Sequence, residues 1–282
     1  MRELARSPAQ SLTAQGISAK SYERLVGWFH ERSGIYLKPE KRTMVVGRLL
    51  KRVLHLGLAD VDAYVELVVS GRDRAESSTA VDILTTNETY FFREPKHFEP
   101  LRQTAQAMAS AGVSSVRVWS AACSTGEEPY SAAMVLSEVL PPDVIWSVLA
   151  TDLSARVVRI GHSGIYPRER TVGVDERLFS RYFKRGLEEY AGFVRVSKAL
   201  RSRLHFAEHS LMEPLSVDGR FDLVFLRNVL IYFDHSAKVK IVKQILPKIK
   251  KGGFLYIGHS ESLKSICDEL TMVSPNIYQK NF

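Results

Sequence analysis

Apolar residues in the first third of the chain recur at helical spacing and are punctuated by glycines. SYERLVGWFHERSG runs from Ser21 and stops near Gly34, and KPEKRTMVVGRLLKRVLHLG begins a helix at Pro39 and ends it near Gly57. DVDAYVELVVSG opens on Asp60, whose side chain suits the free N–H groups of a first helical turn, and stops at Gly71. From about Val116 the period changes to short apolar runs separated by helical stretches: RVWSAA, EEPYSAAMVLSEVL, VIWSVLATD and SARVVRIGHSG. RLHFAEHSL, FDLVFLRN, a helix from about His235 to Lys250 and GGFLYIGHS continue the series. That alternation predicts parallel strands joined by helices. Between the two series, RYFKRGLEEYAGFVRVSKAL alternates apolar positions around Gly186 and Gly192, which predicts antiparallel strands inserted into the α/β domain.

The divisions that follow are a mobile leader over residues 1–17, a helical domain over 18–78, a linker over 79–95 and an α/β domain over 96–282 with its inserted β-segment at about 180–203. A chain of 282 residues with 45% hydrophobic content can bury a sizeable core. No run approaches the roughly 20 apolar residues of a spanning helix, and the leader lacks an apolar signal-peptide centre, so a cytoplasmic location without membrane insertion is expected. Cys123 and Cys267 stand too far apart for a disulfide framework or a zinc-ligand pair, and His97, His209 and His259 stand alone, so no metal is expected. A net charge of +8 points to an acidic partner and leaves nucleic acid, membrane and acidic protein surface all open.

RVWSAACSTGEEPYSAAM reads as a strand, a turn of small residues and a helix starting near Glu127. Ligands of open α/β sheets bind where strands end, and small side chains let the backbone approach them. One glycine, Gly126, is too few for a dinucleotide fingerprint, and the Gly-Lys ending of a P-loop is missing. Glu127 and Glu128 in the first helical turn repel phosphate but accept hydroxyls or an ammonium. Asp152 ends the next strand, where an acid accepts hydrogen bonds from ribose hydroxyls. The bland alternative makes the glutamates helix-start charges and Asp152 an N-cap; the combination at this spacing favours an adenosine-type cofactor such as S-adenosylmethionine.

NETYFFR (residues 87–93) with EPKHFEPL, WSAACSTGEEPYS, ATDLS, FDLVFLRNVLIYFD and GGFLYIGHSES together resemble the CheR family of chemotaxis receptor protein-glutamate O-methyltransferases over roughly residues 20–280. The resemblance implies a Rossmann-like, S-adenosylmethionine-dependent methyltransferase domain with a small inserted antiparallel β-subdomain, preceded by an all-α domain that recognises substrate. It implies cofactor contacts at Asn87, Thr89, Arg93, Glu128, Asp152, Ser210, Leu211, Arg227 and Asn228, with S-adenosylhomocysteine as product. Ser210 departs from the asparagine of the family pattern, and its shorter side chain weakens that contact. Arg93 and Tyr232 are the expected catalytic pair, Arg93 orienting the reacting groups and Tyr232 near the transferred methyl. Within NETYFFR, Tyr90, Phe91 and Phe92 are expected to anchor the linker in apolar surroundings.

The implied substrate is a glutamate on the cytoplasmic helical domain of a chemoreceptor, with a receptor C-terminal tail as a further partner of the inserted strands and no nucleic acid. We expect a monomer. On the helix from Pro39 to Leu56, Lys41, Arg48 and Arg52 fall opposite Val46, Leu49, Leu50 and Val53, which predicts an exposed basic stripe that holds the acidic substrate. Reversing Arg48 and Arg52 to glutamate is then expected to weaken methylation with cofactor affinity retained. A nucleic-acid methyltransferase is the nearest rival, but the motifs for amino-group or cytosine methylation are missing; a non-catalytic cofactor sensor is the second.

Overall fold

A computed structural model describes residues 16–264 and 266–281. Residues 1–15 of the expected leader lie outside the described residues, while Ile17 is buried and Ser18 caps a helix. The chain forms two compact units, Met1–Thr86 and Asn87–Phe282.

The first unit holds α1 (Ala19–Ser33), α2 (Arg42–Leu56), α3 (Val61–Val69) and α4 (Arg74–Leu84). Ser18, Asp60 and Asp73 cap α1, α3 and α4 by accepting from the N–H groups of Ser21, Ala63 and Glu76 at 3.1, 2.7 and 2.9 Å. α4 runs through the expected boundary at 78/79, and the compact units divide after Thr86. Leu25 and Phe29 of α1, Val45, Leu49 and Val53 of α2, and Tyr64, Val65 and Val68 of α3 are fully buried. Each aliphatic side chain so removed from water contributes about 1.5–3 kcal/mol.

The expected exposed stripe on α2 needs correction. Lys41 is exposed, but Arg48 and Arg52 are half-buried and turn onto their own unit. The Arg48 guanidinium donates to the carbonyls of Leu84 (2.7 Å) and Thr85 (3.2 Å) and to the Thr86 hydroxyl (3.1 Å), closing the C-terminus of α4. Arg52 makes a two-pronged pair with the buried Glu76 carboxylate at 2.8 and 2.7 Å, holding that carboxyl below its ordinary range, and Tyr64 donates to the same carboxylate at 2.7 Å. Both arginines border the apolar stripe, where a long side chain reaches inward along its stem.

The second unit opens with α5 (Phe98–Ser110) and continues β1 (Ser115–Ala121), α6 (Glu127–Val139), β2 (Ile145–Asp152), α7 (Ala155–Ser163) and β3 (Ile165–Pro167). Next come α8 (Glu176–Tyr182), β4 (Phe183–Arg185), β5 (Phe193–Val196), α9 (Lys198–Arg201), β6 (Leu204–Glu208) and β7 (Phe221–Leu226). α10 (His235–Ile245), β8 (Ile249–Ile257), β9 (Leu270–Ser274) and β10 (Ile277–Lys280) complete it. The main sheet has the order β6-β2-β1-β7-β8-β10-β9, parallel from β6 to β8 and antiparallel at β10 and β9. All six residues of β7 are buried, the mark of a strand covered on both faces.

The inserted antiparallel sheet has the order β3-β5-β4. It begins at Ile165, well before the expected 180, because its first strand has three residues, ends in Pro167 and is too short to show an alternation. No helix among the described residues is long and apolar enough to cross a membrane.

Candidate cofactor and active site

Chain direction at the centre of the sheet decides where a ligand fits. From β1 the chain moves outward to β2, and from its neighbour β7 it moves the opposite way to β8, so the loops leaving β1 and β7 part and open a crevice at the strands' carboxyl ends. Glu128, Asp152, Arg227 and Asn228 stand at or just beyond those ends, and Ser210 and Leu211 follow β6 beside them.

The loop after β1 is stretched across this edge. Ala122, Ser124 and Gly126 adopt left-handed backbone, at φ 66°, 50° and 95°. The Cys123 N–H donates to the Thr151 carbonyl at 2.8 Å, and the Asp152 carboxylate accepts from Ser124 N–H (2.8 Å) and Ser154 N–H (3.0 Å). A Cβ on Gly126 would stand 2.9 Å from Gly161 Cα and 3.0 Å from the Tyr166 hydroxyl, so only glycine serves there. The Cys123 thiol is buried, which pushes its pKa well up and leaves it a small filler, not a nucleophile.

Glu127 and Glu128 open α6 as buried acids. Glu127 accepts from the Thr125 hydroxyl at 2.6 Å and from Arg170 at 2.5 Å; Glu128 accepts from the Ser120 hydroxyl at 2.7 Å and from Arg227 Nη1 at 2.9 Å. Burial raises both carboxyl pKa values, and the facing arginines oppose the rise.

Arg227 is 5% exposed and joins three elements. Besides Glu128 it donates to the Arg93 carbonyl at 2.6 Å and to Glu94 Oε2 at 3.0 Å. Asn228, at φ 56°, donates its amide to Glu94 Oε1 at 3.0 Å, and its own N–H goes to Glu261 at 2.9 Å. Glu261 also accepts from the N–H groups of Leu230 (2.7 Å) and Gly258 (2.6 Å), so one buried carboxylate ties the loop after β7 to the loop after β8. Tyr232 sits half-buried in the 3-10 turn Leu230–Tyr232 that follows.

NETYFFR runs along the same edge. The Asn87 carbonyl accepts from the Ser124 hydroxyl at 2.9 Å, the Thr89 carbonyl from Arg170 at 2.9 Å, and Phe92 N–H donates to the Ser131 hydroxyl at 2.9 Å. Phe91 is buried, edge-on to Tyr166 and Phe183 at 5.1 and 5.4 Å between ring centres. Tyr90 is 49% exposed, so the expected apolar anchoring holds for Phe91 and not for Tyr90. Arg93 is half-buried, its guanidinium donating to the Glu88 carbonyl at 2.6 Å. Ser210 and Leu211 are half-buried in a turn held beside Asp152 by the bond from His209 N–H to the Asp152 carbonyl, 2.8 Å.

Phe92, Glu94, Ala122, Ser124 and Asn228 are five of the seven non-glycine residues with positive φ among the described residues, and all border this edge. Each such residue costs about 1–2 kcal/mol, a concentration of strain that belongs to functional loops. The fold also brings together histidines that look solitary in the sequence: the His97 and His259 rings lie 4.7 Å apart, both beside Glu94. Burial, with Arg227 nearby, lowers the His97 pKa to about 4, so its ring is neutral, and Arg227 supplies the counter-charge to Glu94.

A crevice at the carboxyl ends of parallel strands, lined by acids in place of phosphate-binding groups, defines an α/β domain for a nucleoside cofactor. Two family profiles match in turn: "CheR methyltransferase, all-alpha domain" over residues 20–85 and "CheR methyltransferase, SAM binding domain" over residues 87–278. The chain is 37% identical over 264 residues to the chemotaxis protein methyltransferase of Escherichia coli (strain K12), covering 93% of this chain and 91% of that one. It is 36% identical to that of Salmonella typhimurium (93% and 90% covered) and 30% identical to that of Borreliella burgdorferi (94% and 95%). The chain belongs to the CheR methyltransferase family, with an all-α domain followed by an S-adenosylmethionine-binding methyltransferase domain.

Proposed function

We propose that the protein transfers a methyl group from S-adenosylmethionine to glutamate side chains on the cytoplasmic helical domain of chemoreceptors, forming glutamate methyl esters and S-adenosylhomocysteine. One observation supports this beyond family membership: Glu128, Asp152, Arg227 and Asn228 converge on one strand edge, joined to NETYFFR through Arg227 and Ser124. The residues fit the cofactor. Acids at the start of α6 and the end of β2 suit ribose hydroxyls and an ammonium, and the Gly126 turn brings backbone to the crevice where a side chain would block it. Asn87, Thr89, Arg93, Glu128, Asp152, Ser210, Leu211, Arg227 and Asn228 are the residues proposed to hold it.

Bound there, the cofactor supplies an electrophilic methyl on a sulfonium. The accepting carboxylate, with a pKa of roughly 4.3, is ionised at neutral pH, so no general base is required. The chain's task is alignment and exclusion of water. Arg93 has the planar donors to orient the carboxylate, and Tyr232 is the residue assigned to donate a hydrogen bond to the glutamate or to line the methyl path.

On the helical unit, Lys41 is exposed and free to steer an acidic helix, while Arg48 and Arg52 share any such role with their structural bonds. The order β3-β5-β4 leaves β4 at an edge of the inserted sheet, open to strand addition by a receptor tail. The test is transfer of radiolabelled methyl from S-adenosylmethionine to receptor cytoplasmic domains. Base-labile label on receptor glutamates supports the assignment, and label on nucleic acid, or cofactor binding without transfer, contradicts it.

A further inference from the structure

The segment between β3 and α8 carries a cation to which the sequence pattern assigned nothing. Arg170 lies in the 3-10 turn Arg168–Thr171, directly after β3. Its Nη2 stands 2.9 Å from the Thr89 carbonyl oxygen, 2.5 Å from Glu127 Oε1 and 3.4 Å from the Thr125 hydroxyl. The arginine side chain is 38% exposed and Glu127 is 0% exposed, so a surface-rooted guanidinium reaches in to compensate a fully buried carboxylate. One group thereby joins three segments distant in sequence: NETYFFR, the small-residue loop after β1, and the inserted β-segment.

Two neighbours reinforce the joint. The Tyr166 hydroxyl of β3 donates to the Thr125 carbonyl at 2.7 Å, and a Cβ on Gly173 would stand only 2.8 Å from the Phe91 carbonyl oxygen, so the insertion closes tightly on the back of NETYFFR. Removing the guanidinium leaves Glu127 buried with the Thr125 hydroxyl as its remaining side-chain donor, and a buried carboxylate short of its cation takes up a proton or draws in water. Either response loosens the Thr125–Glu127 turn, and the adjoining Glu128 and Ser124 with it.

We propose that Arg170 is a positioning residue for cofactor binding: acting through Glu127 and the Thr89 backbone, it holds the loop after β1 and NETYFFR in register, and makes the inserted β-segment part of the cofactor site's support. This rests on the cofactor assignment above.

The test uses the full chain and four variants, Arg170→Met, Arg170→Lys, Glu127→Gln and the double Arg170→Met/Glu127→Gln, with S-adenosylhomocysteine titrated calorimetrically and thermal melts run in parallel. Arg170→Met is expected to weaken binding by about tenfold or more at neutral pH, and Arg170→Lys to recover part of the loss. In Arg170→Met the affinity falls further as pH rises and the uncompensated carboxyl, whose pKa burial pushes up, ionises, and the double variant loses that slope. A merely structural role would lower the melting temperature without creating this pH dependence. Affinity of Arg170→Met within about twofold of wild type, or a loss without the pH slope that Glu127→Gln abolishes, overturns the proposal. A wild-type chain that does not bind S-adenosylhomocysteine overturns the cofactor assignment, and this proposal with it.

Discussion

Charge is used in opposite ways at the surface of the helical unit and at the carboxyl edge of the sheet. On the helical unit, Arg24 and Glu66 pair at 2.5 Å with side chains 41% and 58% exposed, where water and salt screen nearly all of the attraction. At the carboxyl edge of the sheet, Arg227 and Glu128 pair at 2.9 Å with side chains 1% and 11% exposed. Stripping such ions of water costs several kcal/mol each before pairing returns anything. A fold that needed only stability could fill that space with leucine. What sets the buried network at the strand ends apart is its place among left-handed residues, which fits the proposed cofactor site, whereas exposed pairs such as Arg24–Glu66 are compatible with solvation alone.

The comparison breaks most readily at Arg227. Arg227→Met leaves Glu128 and Glu94 without their shared cation, and chemical denaturation is expected to show a loss of about 3–5 kcal/mol together with loss of S-adenosylhomocysteine binding. An unchanged stability would mean that the network is dispensable and the contrast false. His97 comes next. Its folded pKa of about 4 lies below the unfolded value near 6.5, so between those values the unfolded chain binds the extra proton. Stability is therefore intact above about pH 6.5 and falls by about 3 kcal/mol as pH drops to about 4. Urea midpoints measured across that window should show a shallower decline for His97→Phe than for wild type. Arg52→Ala, which leaves the buried Glu76 with the Tyr64 hydroxyl but without its cation, is expected to cost the helical unit about 2 kcal/mol, and Arg24→Ala should leave its melting temperature unchanged. Equal effects from those two variants would erase the distinction between buried and surface pairs within that unit.

Much of the site is legible in the sequence because strand ends make contiguous motifs. Glu128 follows its small-residue loop and Asp152 its strand, and both land at one edge once the strands are parallel. The residues that brace them are not legible in this way. Arg227 meets Glu94 across 133 positions and Arg170 meets Glu127 across 43, and no local period records such a pairing. Glu261 lies in the quoted GHSES segment, yet its duty as acceptor for three N–H groups depends on two loops that meet only in the folded sheet. Arg48 and Arg52 show the opposite error. A helical wheel places them outside the apolar stripe, but a wheel marks where the side chain starts and not where its charged end goes.

Hydrogen–deuterium exchange with and without S-adenosylhomocysteine tests the central claim most directly, because it reads the whole chain at once. We predict slowed exchange at residues 121–128, 150–154, 208–212 and 226–232 and along NETYFFR, with the interiors of α1 to α4 unchanged. Protection confined to the helical unit, or no protection at the carboxyl ends of β1, β2 and β7, would contradict it.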